Sequence, residues 1–429
     1  MNKKSLLSFI FLLAVLILLP FTNAEAKDFP SNPLDKPGYK LDFNDEFNGP
    51  ALDRNKWTDY YLPHWCDNPE DAKANYRFEN GSLVEYIKED QKPWCPEHDG
   101  KVRSSAIMSF DKSWVHNFSG TTDNHERNEW KGYTTKYGYF EIRAKLSNVG
   151  GGGHQAWWMV GMQDDTNDWF NSKQTGEIDI LETFFSKQDT WRIAAYGWND
   201  PNFQTSWYLS QDKVPEGNPT SEYHVYGMEW SPSSLKFYYD NKLFKVIYGS
   251  PDYEMGTILN IYTDAGSGTH NDVWPKEWAI DYFRVWKPVD GYPEKSHSNN
   301  YLVQNRQTGK YMYISQDNKN VVYGDISAQN EEAAKWEKEY RDGYVLLKNK
   351  ATGEYINIES QTGYVEHGIV PNTWWSAQWK EISEGDYTRL VNRWKYPVAL
   401  HTESYEGVLQ YGNVPETYWT SQWRFIPVE

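Results

Sequence analysis

Only two cysteines, Cys66 and Cys95, occur in the 429 residues. A disulfide-dense scaffold is therefore excluded, and no CxxC or HExxH spacing offers a metal site. No glycine-rich phosphate loop follows a strand; Gly150–Gly153 leads into His154 and an aromatic, apolar run, and reads as a turn. Positive charge is in deficit, with 43 Lys and Arg against 60 Asp and Glu, a net −17. That balance excludes a nucleic-acid backbone or an anionic membrane as the main partner. No stretch keeps a helical period, and beyond the N-terminus none is apolar enough to span a bilayer.

What is abundant is aromatic: 17% of the chain, with 22 Trp and 32 Tyr. Broad rings stack on the apolar faces of sugars, and they also fill β cores, so composition alone admits both readings. At the N-terminus Lys3 and Lys4 precede the apolar run Leu6–Phe21, and Ala24-Glu25-Ala26 follows. This is the pattern of a secretory signal peptide over residues 1–26, and it predicts a secreted, extracellular protein. In an exported chain the Cys66 and Cys95 pair is expected as one disulfide, two free buried thiols being the alternative.

Residues 27–287 read as short strands between turns. Tyr137–Lys145 alternates with period two, Leu235–Val246 reads as two strands around an Asp-Asn turn, and Ala279–Trp286 is another strand. The fold class is all-β, an antiparallel β-sandwich (jelly roll, concanavalin-like). Residues 288–299 are polar and proline-bearing and read as a linker. From 300 to 429 the chain repeats: Asn305-Arg-Gln-Thr-Gly-Lys-Tyr311 matches Asn349-Lys-Ala-Thr-Gly-Glu-Tyr355 and, more loosely, the segment from Asn392. The units end at Trp336, Trp379 and Trp423. Three such units must close around a shared core, which predicts a β-trefoil. Their Gln-Trp endings resemble, loosely, the Gln-x-Trp repeats of ricin-type trefoils, although the middle residue is missing. Trp374, Trp375, Tyr418 and Trp419 are candidate glycan platforms in the second and third units; the first has acidic residues there.

The most informative stretch is Gly176-Glu177-Ile178-Asp179-Ile180-Leu181-Glu182. Three carboxylates on an apolar strand are costly to desolvate unless used or paired. Glu177 and Asp179 share a face, and one extra residue near Ile180-Leu181 returns Glu182 to it. A retaining glycosidase needs its two carboxyls about 5–5.5 Å apart.

This segment resembles the bulged Glu-x-Asp-x-x-Glu signature of family 16 glycoside hydrolases. Phe43-Asn-Asp-Glu-Phe47, Tyr137-Gly-Tyr-Phe-Glu-Ile-Arg143, Tyr223–Trp230 and Ala279–Trp286 resemble other segments of that family, in order. The resemblance implies Glu177 as nucleophile, Asp179 as the residue that orients and tunes it, and Glu182 as acid/base. The implied activity is an endo-acting, retaining β-glycosidase that cuts internal linkages of a β-1,3(4)-glucan or β-galactan. No cofactor is required, no metal ligand is assigned, and a structural calcium is not readable. His154-Gln-Ala-Trp157 and Asn260-Ile-Tyr-Thr-Asp-Ala-Gly266 depart from the β-1,3-glucanase pattern, which favours a galactan of the endo-β-galactosidase or agarase kind. Substrate contacts are expected from Trp157, with Trp158 in the core, and from His154, Trp169, Trp198 and Trp274. The partner is a polysaccharide or glycan, the chain is expected to be a monomer, and a transglycosylase or a non-catalytic lectin-like protein is the alternative.

Overall fold

The computed structural model describes residues 27–116, 125–162, 176–197, 200, 203, 208–263, 273–292, 300–315, 317–384 and 387–428. The expected signal peptide lies outside them, as do Trp169, Trp198 and most of the expected linker. Two antiparallel sheets stack face to face. The eight-stranded sheet runs Lys242–Tyr248, Ser234–Tyr239, His224–Trp230, Gly138–Lys145, Lys276–Pro288, Ser82–Ile87, Tyr76–Glu79, with Tyr39–Asp45 paired to Lys276–Pro288. The seven-stranded sheet runs Tyr208–Lys213, Thr190–Tyr196, Glu177–Phe184, His154–Gly161, Met255–Tyr262, Ser104–Met108, with Thr134–Thr135 paired to Met255–Tyr262.

Alternation along these strands sends one apolar set between the layers. Trp157, Ile178, Leu181 and Trp191 from one sheet meet Phe140, Ile142, Tyr226, Phe283 and Val285 from the other, all buried. The expected Asp-Asn hairpin joins Ser234–Tyr239 to Lys242–Tyr248, with φ of 49° at Asp240 and 66° at Asn241. Both residues tolerate the left-handed region that such a two-residue turn demands. Gly153 has φ +102°, and a Cβ there would lie 2.1 Å from the Tyr262 carbonyl oxygen. Only glycine lets the His154–Gly161 strand begin so close to its neighbour.

Residues 300–428 form a separate twelve-stranded sheet. Three backbone bonds close a ring through it: Val321 N–H donates to Val365 O (2.8 Å), Val365 to Leu409 (2.9 Å) and Leu409 to Val321 (2.8 Å). Trp336, Trp379 and Trp423 are fully buried in the core around that ring. The equivalent Asn305, Asn349 and Asn392 each donate from Nδ2 to a carbonyl of the turn before the neighbouring repeat's tryptophan, those of Thr420, Ala333 and Ser376. A second apolar cluster joins the two parts of the chain. Leu243 and Val246 of the sandwich's edge strand meet Leu302, Tyr311, Ile326, Ala334 and Val428. That contact covers side chains at an edge that would otherwise invite strand pairing.

The expected disulfide is absent. Cys66 and Cys95 are buried, adjacent and free. Each thiol is turned onto an acceptor instead: Cys66 Sγ donates to Trp94 O (3.2 Å) and Cys95 Sγ to Glu97 Oε1 (3.5 Å). The Cys66 contact and burial push the Cys95 thiol up, so it stays protonated. Among the described residues no helix is long and apolar enough to cross a membrane.

Candidate active site

The acidic strand Glu177–Phe184 lies inside the seven-stranded sheet, between Thr190–Tyr196 and His154–Gly161. Its register slips by one residue: Asp179 pairs with Trp158, but Leu181 pairs with Trp157. Against the other neighbour, Asp179 pairs with Ala194 and Glu182 with Arg192. The extra residue sends both Ile180 and Leu181 into the core, while Glu177, Asp179 and Glu182 all line one cleft of about 220 Å³. The bulge therefore does what simple alternation cannot, placing three acids on one surface.

All three carboxylates are largely buried. Burial pushes Asp179 well above the usual carboxylate range, and the charges of Glu177 and Glu182 push the same way. The shift favours the protonated form of Asp179, in which it can donate to the Glu177 carboxylate. Burial also raises Glu182, against the pull of Arg192, whose Nε lies 3.2 Å from Glu182 Oε2. Arg192 Nη2 also donates to Tyr196 Oη at 3.2 Å, which fixes the guanidinium beside the acid.

Aromatic and imidazole groups wall the cleft. His154 Nε2 stands 3.8 Å from Glu182 Oε1, with its ring between Phe184 and Tyr262. His116 Nδ1 stands 3.7 Å from Glu177 Oε2, and its ring meets the Trp158 ring edge-on at 4.9 Å. Burial holds His116 down at about 3, so it is neutral at ordinary pH. Trp158 Nε1 donates to Asn260 Oδ1 at 2.8 Å, and Tyr262 Oη donates to Asp99 Oδ2 at 2.9 Å. Tyr61 completes the wall.

The cleft thus gathers Glu177, Asp179, Glu182 and His154 as the sequence anticipated. The tryptophan assignment is reversed. Trp157 is wholly buried against Phe283, and Trp158 lines the cleft. The reason is parity: His154, Ala156 and Trp158 share one face of a regular strand, and Trp157 faces the other way. Trp274 does not line the cleft; it lies half-buried against the sandwich core, with Arg103 and Lys276 over its ring. Arg192, His116, Tyr61, Asn260 and Tyr262 were not anticipated as site residues. Arg192 was findable in principle, because a hairpin after the acidic strand sets it opposite Glu182. His116 and Tyr61 come from irregular segments with no period to follow. Among the described residues, Cys66, Cys95 and Glu97 bring three potential metal-ligand atoms within 4.8 Å of one another, outside the cleft. Chemically, a buried carboxylate pair with a protonated neighbour suits nucleophilic attack at one carboxylate and proton delivery from the other.

A family model described as glycosyl hydrolases family 16 matches residues 111–284. The solved structure of a GlcNAcα1-4Gal releasing endo-β-galactosidase from Clostridium perfringens is 82% identical, covering 94% of this chain and all of that one, with a TM-score of 0.66. Glucan endo-1,3-beta-glucosidase A1 from Niallia circulans is 27% identical over 58% of this chain and 38% of its own length. Keratan-sulfate endo-1,4-beta-galactosidase from Sphingobacterium multivorum is 25% identical over 58% of this chain and 55% of its own. The chain therefore spans about half or less of these two curated relatives.

Proposed function

This chain belongs to family 16 of the glycosyl hydrolases, and from that premise we propose that it is an endo-β-galactosidase releasing GlcNAcα1-4Gal from a larger glycan with retention at the anomeric carbon. The observation that carries the substrate reading is the 82% identity to an enzyme named for that release. His154 in the cleft supports it, since that position departs from the β-1,3-glucanase pattern.

The proposed reaction uses the cleft's own groups. The Glu177 carboxylate attacks the anomeric carbon of the galactose as the bond to the leaving oxygen breaks. Glu182 gives its proton to that oxygen, so the shortened glycan leaves as an alcohol. The sugar is then held as an ester on Glu177. Glu182, now a carboxylate, takes a proton from water, and the resulting oxygen attacks the same carbon and frees Glu177. Two inversions leave the β configuration unchanged. Protonated Asp179 donates to Glu177, which orients the nucleophile and stabilises it as a leaving group in the second step. Trp158 offers its face to the sugar, held by its bond to Asn260.

We read residues 300–428 as a β-trefoil and residues 27–287 as the catalytic unit; the closed ring of three backbone bonds and the separate cores support that division. The N-terminal apolar run supports export.

The test is reducing-end release on a panel of GlcNAcα1-4Galβ-capped mucin glycan, keratan, agarose, porphyran, laminarin and lichenan, with proton NMR of the first product anomer. Release from the capped glycan with a β product is expected. Hydrolysis of laminarin with the capped glycan untouched overturns the substrate reading, and an α product overturns the mechanism.

A further inference from the structure

Threefold repetition shows one surface in three settings. A short turn precedes each buried tryptophan, and it begins Glu331-Glu332 in the first repeat, Trp374-Trp375 in the second and Tyr418-Trp419 in the third. The first copy sits by the sandwich. Ile326 and Ala334, which flank it, join the cluster with Val246, and the Glu331 charge reaches Tyr238. The other two copies face solvent: Trp374 is 41% exposed, Trp375 53%, Tyr418 46% and Trp419 49%.

Folding does not account for these rings. The first repeat makes the same turn with two glutamates, and the repeat's core is filled by Trp336, Trp379 and Trp423. The outer rings are nevertheless held in place. The Arg393 guanidinium lies 4.4 Å from the Trp375 ring and 4.5 Å from Tyr344, and its Nη1 donates to Gln378 Oε1 at 2.5 Å. At the third copy Arg306, from the start of the first repeat, lies 4.2 Å from Trp419 and 4.5 Å from Tyr387, and its Nη1 donates to Gln422 Oε1 at 2.6 Å. At the first copy of the turn Lys350, from the start of the second repeat, takes the arginine position and Glu332 the tryptophan position, so both members are missing there. A fixed, half-exposed ring edged by a guanidinium fork presents an apolar face and hydrogen-bond donors together. That pairing suits a sugar ring, whose C–H face stacks while its hydroxyls accept at the rim.

We propose that the second and third repeats each carry a glycan-binding platform, Trp374-Trp375 with Arg393 and Tyr418-Trp419 with Arg306, that together grip a polymeric glycan apart from the catalytic cleft. Two linked sites raise apparent affinity without any new contact, because the second engagement is intramolecular. The choice of glycan class as occupant rests on the reading of the substrate; the platforms themselves rest on the geometry above.

The experiment uses the full chain carrying Glu177→Gln, so that binding is scored without hydrolysis, and measures retention on immobilised mucin glycan and on the other polysaccharides of the panel. Trp375→Ala or Trp419→Ala is expected to weaken retention on the order of 10²-fold by removing bivalency, and the double variant to reduce it to background. Trp375→Tyr and Trp419→Tyr keep a ring and are expected to retain binding within severalfold. In the otherwise wild-type chain, the same alanine variants are expected to leave kcat/KM on a short soluble capped oligosaccharide unchanged. Undiminished retention by the double variant on every bound polysaccharide overturns the proposal, as does a wild-type chain that binds none of them. A dimer that dissociates to monomer with Trp375→Ala, at unchanged glycan retention, overturns it in favour of self-contact. Failure of the substrate reading looks different: capped oligosaccharide is then uncut while tryptophan-dependent retention on another polysaccharide persists.

Discussion

Replacing Arg192 with leucine removes a positive charge in contact with Glu182 and leaves the strand pairing in place. The two charges are 3.2 Å apart, with side chains 23% and 10% exposed. Coulomb's law at that separation gives about 1 kcal/mol in bulk water and about 5 kcal/mol at an effective dielectric of 20. A half-sheltered pair lies between those limits, which corresponds to about 1–3 pH units on the Glu182 proton. Burial raises Glu182 and Arg192 lowers it, so removing the arginine lifts the Glu182 pKa further. In the mechanism proposed above Glu182 acts as the protonated acid of the first chemical step, and its ionisation then sets the alkaline limb of kcat/KM. The limb should therefore move to higher pH by about 1–3 units in Arg192→Leu, and by much less in Arg192→Lys, which keeps the charge. The assay is the pH profile of kcat/KM on a capped oligosaccharide. A fixed alkaline limb with a shifted acidic limb would refute the reasoning, because it would place Arg192 on the nucleophile's titration and exchange the roles of the two glutamates.

Glu182→Gln should lower kcat by about 10²–10⁴-fold with the fold intact, and Glu177→Gln by at least as much. Azide should rescue Glu177→Ala with an inverted product and Glu182→Ala with a retained one, and the opposite pattern sinks the assignment. By calorimetry, Glu177→Gln should also melt higher than the parent chain. Trp157→Ala, which empties a core position, should cost about 3–5 kcal/mol in chemical denaturation. Trp158→Ala should instead raise KM, and equal stability losses in the two would contradict the split between core and cleft. Burial holds His64 and His116 at about 3, below their ordinary 6.5. The unfolded chain takes up those protons first, so the stability they contribute is present above pH 6.5 and lost as pH falls toward 3. At pH 5 the loss is about 2 kcal/mol per histidine. Because the raised Asp179 and Glu182 act in the opposite direction, the check is the difference from His64→Gln: an unchanged slope of the denaturation midpoint from pH 7 to 5 in that variant would rule this out.

Much of the site was legible because its logic is local. Three acids in six residues of an apolar strand can share a face only with one residue inserted, and the bulge falls at Ile180 and Leu181 as spacing required. The Asp240-Asn241 turn was readable for the same reason, since two adjacent positions carry the whole signal. The repeat endings were readable because the buried Trp336, Trp379 and Trp423 recur with their neighbours. What stayed hidden depends on partners far away in sequence. Arg192 matters through register with Glu182, and His116 reaches Glu177 from a segment without period. The Trp157 error was avoidable: placing His154 and Trp157 on one face contradicts the alternation that had paired Glu177 with Asp179. The cysteines show the limit of compositional reasoning, because adjacency was right and the bond was not.

The charge arrangement explains why this strand is built against ordinary stability. A strand wholly inside a sandwich would normally spend the Glu177, Asp179 and Glu182 positions on apolar or hydroxyl side chains. Here burial, and after it the charges of Glu177 and Glu182, pushes Asp179 well above the usual carboxylate range. Protonation of Asp179 converts a third repulsive charge into a donor for Glu177, and Arg192 offsets part of the repulsion at Glu182. The residual strain is the reactive feature itself. A nucleophile relieved of charge by forming an ester gains from the reaction what folding withheld, and the loss of that charge makes room for the negative charge Glu182 takes on when its proton goes to the leaving oxygen. Neutralising Glu177 should therefore release part of that strain while abolishing the chemistry, which is why a more stable and inactive variant is the expected pairing.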